Sequence, residues 1–141
     1  MNSTEQALKV LKLFLTEMKT WEDYWCELRF ANFGLGVDYS KEQKQELDAI
    51  YEKYVTVRER KWGLQVALST QFPSTFTPDG EIISCELSAN NKKILIEVYK
   101  KFDTGVEYQY RYTLIFKYKK WLVDRREMFD YYDGKWSKSS L

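Results

Sequence analysis

Apolar positions in the first part of the chain recur at helical spacing. Ala7, Leu8, Leu11, Phe14, Leu15, Met18, Trp21, Trp25 and Leu28 form one stripe, while Lys9, Lys12, Glu17, Lys19 and Glu22 lie mostly off it. A stripe of that width is what a helix buries against a sheet. Ser3 followed by Gln6 reads as a capping box at its start. The length of the run predicts a bend near Trp21 to Trp25. Gly34 and Gly36 make Asn32 to Tyr39 a loop. Ser40 and Gln43 repeat the capping signature ahead of a second helix, with Leu47, Ile50, Tyr51 and Tyr54 on its apolar face. It is expected to end near Val55 to Val57, where branched side chains weaken the helical preference. The compact charge run Arg58 to Lys61 is either a solvated turn or a binding patch.

After Gly63 the period changes to two. Leu64, Val66 and Leu68 predict a short strand, and Ser69 to Thr77 an irregular loop closed by the turn Pro78-Asp79-Gly80. Strands follow over Ile83 to Ala89, Lys93 to Lys101, Tyr108 to Tyr118 and Trp121 to Phe129. Asn90-Asn91, Asp103-Thr104-Gly105 and Lys119-Lys120 turn the chain between them. Residues 134–141 are expected to be a frayed tail, with Trp136 pinning part of it. Helices first and strands afterwards, joined by short turns, imply an α+β layer pair. The expected architecture is one domain over residues 1–141, with N-terminal helices packed on a strongly curved antiparallel sheet that encloses a cone.

A turn centred on Lys119-Lys120 pairs Tyr118 with Trp121, Phe116 with Val123 and Leu114 with Arg125. Glu127 then lies beside Tyr112 and Phe129 beside Tyr110. Tyr110, Tyr112, Arg125 and Glu127 become candidates for a polar ligand pocket on the aromatic face. A bulge in either strand exchanges the assignment, because side chains alternate faces.

Composition narrows the chemistry. Apolar residues are 44% and aromatics 17% of 141 residues, which excludes a disordered chain. The formal net charge of +1 lacks the positive excess of a nucleic-acid binder. The first apolar run, Val10 to Leu15, is short and contains Lys12, so neither a signal peptide nor a membrane span is expected, and the cytoplasm is the default location. Cys26 and Cys85 read as two buried thiols, with a disulfide, metal pair or nucleophile as the alternatives. The chain has no histidine, which excludes His-based metal sites, Ser-His-Asp triads and Cys-His pairs. Its glycines form no phosphate loop. No metal, cofactor or catalytic residue is expected.

The hairpin Tyr112-Thr-Leu-Ile-Phe-Lys-Tyr-Lys-Lys-Trp-Leu-Val-Asp124 resembles the C-terminal hairpin of the NTF2-like superfamily. Phe14-Leu-Thr-Glu-Met-Lys-Thr-Trp-Glu22 and Ile50-Tyr-Glu-Lys-Tyr-Val-Thr-Val-Arg-Glu-Arg60 narrow the resemblance to the NTF2-fold immunity proteins of bacterial polymorphic toxin systems. That resemblance implies a cytoplasmic protein that neutralises a cognate toxin domain by stoichiometric binding, with homodimerisation through the sheet as a further option. Tyr, Trp and Arg dominate strong interfaces, and the chain carries 11 Tyr and 5 Trp. Trp21, Tyr24, Arg58, Arg60, Tyr131, Tyr132 and Trp136 are the partner-binding candidates. A small-molecule-binding domain or a histidine-free enzyme is the alternative reading.

Overall fold

The computed structural model describes residues 2–61 and 63–141. Helix α1 spans Ser3–Ala31 as one element, and its helical assignment is unbroken through Trp21 to Trp25. Its cap lies one residue earlier than the expected pair. The Asn2 side chain accepts the Glu5 N–H at 2.8 Å and donates to the Glu5 carboxylate at 3.4 Å. A capping side chain must stand in for the carbonyl missing from the first turn, and Asn serves as well as Ser.

Helix α2 covers Ser40–Tyr54. Gln43 does not cap it. It is buried, accepts from the Arg29 Nε at 3.0 Å and donates to the Leu68 carbonyl at 2.9 Å, while the Trp21 indole donates to its main-chain carbonyl at 3.0 Å. One amide thus ties both helices to the segment that follows.

That segment is a single helical turn, α3, Leu64–Ala67, where a strand was expected. Leu64 and Leu68, four apart, are buried, while Val66 between them is 67% exposed. Strand alternation would put all three on one face; a helical turn separates them. Among the described residues no strand pairs with it, and Leu68 closes the turn with φ 52°.

Five strands make the sheet: β1 Glu81–Leu87, β2 Lys93–Lys101, β3 Glu107–Lys117, β4 Lys120–Asp130 and β5 Lys135–Lys138. All pairs are antiparallel and neighbours follow chain order. The α+β layering therefore holds, but the strongly curved cone does not. The sheet is an open meander, neither strongly curved nor closed, and β1 never meets β5. The physical reason lies beneath it. The loop 69–80 folds under the sheet, where Phe76 is fully buried with Ser74, Thr75 and Thr77 around it. Protein fills the space a cone would enclose.

Residues 134–141, expected to fray, instead supply β5, and Leu141 is buried. Helix α1 lies against β2 and β4. Ile94, Ile96, Val98, Tyr110, Tyr112, Leu114 and Val123 meet Leu11, Phe14, Leu15 and Met18 in one core. Phe14 is its hub, set edge-on to Tyr51, Tyr54 and Phe76 at 6.5, 6.2 and 6.0 Å. Replacing Phe14 by Ala removes three ring contacts and opens a cavity, so urea denaturation should show a loss of about 3–5 kcal/mol without a change of fold.

Candidate functional site

The geometry of the site begins in the β3–β4 hairpin. Tyr118 and Lys119 both have positive φ, 56° and 62°, as a two-residue hairpin turn requires. The pairing is therefore Lys117 with Lys120, Phe116 with Trp121 and Leu114 with Val123. Relative to a turn centred on Lys119-Lys120, this shifts each partner by two residues, which leaves every side chain on its expected face.

A second difference changes the faces. Between Leu114↔Val123 and Thr113↔Arg125 the register slips, and Asp124 has no partner. Beyond this bulge Tyr112 faces Arg126, and Arg111 faces Glu127. The expected quartet is split. Tyr110 and Tyr112 point into the core, Arg125 is exposed, and Glu127 lies on the outer face.

Arg126 takes the inward place and is only 4% exposed. Its guanidinium lies 4.1 Å from the centre of the Phe76 ring and 4.5 Å from that of Tyr110. It donates to the Thr75 hydroxyl at 3.2 Å and to the Ser140 carbonyl at 3.1 Å, and it hydrogen-bonds with Tyr112. Thr75 also contacts Glu22, which is 2% exposed on α1. Glu22 accepts from Gln71 N–H at 3.1 Å, Ser74 Oγ at 2.7 Å and Thr75 N–H at 2.8 Å, which holds the loop beneath the sheet. The signal for Glu22 was its spacing, four after Met18 and three before Trp25, on the apolar stripe. Its charge argued for the other face.

The bulge also organises a surface. Val55 forms a parallel bridge to Val123, and Thr56 N–H donates to the Val123 carbonyl at 3.0 Å. The Thr56 hydroxyl donates to the Asp124 carboxylate at 2.7 Å. The freed Asp124 carbonyl accepts from Arg58 at 3.2 Å and Arg60 at 3.0 Å. Arg60 is held further by the Thr56 carbonyl at 2.9 Å and hydroxyl at 2.7 Å. Burial and then the neighbouring Arg58 charge push the Arg60 guanidinium below its ordinary value. These groups edge a groove of about 440 Å³ that also reaches Lys138 to Leu141. Its cations are Arg58, Arg60, Lys61, Arg125, Arg126 and Lys138; its side-chain carboxylates are Glu59 and Asp124. Gly63 lies at its inner wall, where a Cβ would come within 2.7 Å of the Leu141 carbonyl oxygen and 2.8 Å of Arg60 Cβ.

Arg125 and Lys138 share the outer sheet face with Glu127 and Trp136, since they stand two residues from them along β4 and β5. There Arg111 makes two 3.1 Å bonds to Glu127 and stacks 4.4 Å from the Trp136 ring. Phe129 packs edge-on to Trp136 at 5.3 Å and to Tyr131 at 5.2 Å, and Tyr131 donates to Gln109 at 3.1 Å. An aromatic shelf therefore runs into the basic groove.

Of the partner-binding candidates, Arg58 and Arg60 lie in the groove, and Tyr131 and Trp136 on the shelf. Tyr132 stands beyond it, 98% exposed. Trp21 is buried, so its side chain is a structural one, while Tyr24 is exposed on α1 beside Trp25. Both cysteines are free and partly buried, and burial pushes the Cys85 thiol up. Among the described residues no three His, Cys, Asp or Glu side chains gather as metal ligands, and no helix is long and apolar enough to cross a membrane.

The family described as "NTF2 fold immunity protein" matches residues 6–140. The chain is 39% identical over 141 residues to "Immunity protein RhsIA" of Dickeya dadantii (strain 3937), with all of both sequences covered. No solved structure gives a significant match.

Burial pushes the Tyr112 phenol up to about 12, against the pull of Arg126, and raises Tyr110 and Tyr51 as well. Each folded-state value lies above the ordinary 10.0, so the folded protein keeps protons that the unfolded chain gives up. The stability from these neutral phenols is full below pH 10.0 and declines as pH climbs through the folded values. Each such phenol steepens the decline by about 1.4 kcal/mol per pH unit. Urea midpoints should hold level up to that point and then drop, with a shallower drop in Tyr112→Phe.

Proposed function

Because the chain belongs to the NTF2 fold immunity protein family, we propose that it protects its producer by binding a cognate toxin domain one to one and occluding it. It is an immunity protein of a polymorphic toxin system, and its work is binding rather than turnover. The observation that carries the toxin-binding reading is the full-length likeness to an immunity protein, which spans the core, the groove and the shelf together. The cytoplasm is the proposed place of action, where a blocked toxin domain does no harm to its own cell.

The surface supports this reading. A stable protein interface takes roughly 800 Å² from each partner, which is a small part of the 9044 Å² of accessible surface here. The groove and shelf offer adjoining cationic and aromatic areas, the mixture that strong interfaces use. Arg58, Arg60, Arg111 and Trp136 are already held by neighbours, so binding orders few additional side chains.

Co-expression with the toxin domain of the same system is the direct test. Growth should be rescued, and the two proteins should co-purify as a 1:1 complex by light scattering. A toxin that remains active and unbound in the presence of excess folded protein would remove the proposal. A 2:2 assembly would show instead that two copies act together.

A further inference from the structure

We propose that the groove beside the β4 bulge receives an acidic segment of the partner protein, with Arg58, Arg125 and Lys138 as its contact cations. This rests on the toxin-binding reading and names the chemistry of the bound surface.

Positive charge is left over in the groove. The chain as a whole is nearly neutral, at +1, yet the groove collects six cations against two side-chain carboxylates. One of those two, Asp124, is engaged by Thr56 and lies 3.6 Å from Arg58. Arg126 is turned inward and Arg60 is braced against Thr56 and Asp124. Arg125 and Lys138 remain exposed, and the Arg58 side chain is 42% exposed even with its contact to Asp124. A terminal carboxylate on Leu141 would still leave the balance positive.

Like charges gathered on a fixed frame repel one another, and a partner carrying carboxylates relieves that repulsion. Arginine suits the task, because its planar fork grips a carboxylate at two points. The bulge is what keeps the frame in place. It anchors Arg58 and Arg60 through a main-chain carbonyl, which no change of side chain at position 124 removes. The shelf continues from the groove along β5, so an acidic segment seated there brings the body of its protein against Trp136 and Tyr131.

The test measures association between the full chain and the toxin domain by surface plasmon resonance over a series of salt concentrations. Arg58→Glu and Arg125→Glu should each slow association by about tenfold at low salt and flatten its salt dependence. Lys9→Glu, an exposed change on α1, should do neither. Circular dichroism melts keep the comparison to folded proteins, and Arg125→Gln serves if reversal unfolds the chain, with a smaller slowing expected. Restored binding of Arg125→Glu by an acid-to-lysine change in the toxin would support the inference directly. Wild-type binding with unchanged rates in both reversals would overturn the groove assignment and leave the toxin-binding reading standing. No wild-type binding at all would overturn that reading, and the groove assignment with it. Tight capture of duplex DNA by the wild type, lost in the reversals, would assign the groove to a nucleic-acid polyanion and overturn an acidic protein segment.

Discussion

A guanidinium withdrawn from water has to be resolvated by the protein around it, and the interior of this fold is arranged about that demand at Arg126. An ion that leaves water without replacement partners costs several kcal/mol. Here the replacement comes from the ring faces of Phe76 and Tyr110, the oxygens of Thr75 and Ser140, and the Tyr112 phenol. Among the described residues no side-chain carboxylate touches it; the buried Glu22 stands one hydroxyl away, through Thr75. The loop under the sheet, the last strands, the C-terminal residues and α1 are thus joined at one cation. A dry apolar core of the same volume would not require these four regions to meet in one arrangement.

The same backbone event that sends Arg126 inward shapes the exterior. One unpaired residue in β4 reverses the alternation, so Arg125 turns outward and Glu127 finds Arg111 across the strand. The carbonyl that loses its ladder partner becomes the anchor for Arg58 and Arg60. Core and basic groove are therefore coupled through backbone geometry. A change that regularised the ladder would bury the wrong arginine and release the groove together.

Much of this was legible from residue rhythm. The α1 stripe, the α2 face, the meander order and the turns after β1 and β2 all follow from local periodicity, which tertiary packing here reinforces, while the β3–β4 turn sits one residue earlier than expected, at Tyr118-Lys119. Arg58 and Arg60 stand out as part of a charge run, and Tyr131 and Trp136 as aromatic excess. What escaped has a common cause. The bulge at Asp124 carries no glycine to announce it, and its effect appears only in the pairing of two strands. Leu64 to Leu68 satisfies both a strand and a helical turn until a neighbour decides between them. Glu22 sits on the apolar stripe with a side chain that argues for water, and only the loop brought beneath the sheet supplies its donors. A strongly curved cone follows from the sheet strands alone, but the loop and Phe76 occupy its place.

Trp136 gives the molecule an optical property of its own. Among the described residues Trp21, Trp25 and Trp121 are enclosed, whereas the Trp136 indole is only partly covered and rests against a guanidinium on the outer face. Its emission therefore responds to the polarity and charge of whatever lies over β5, so the shelf carries a fluorophore native to the chain, and occupancy there can be followed in the ultraviolet without attaching a dye.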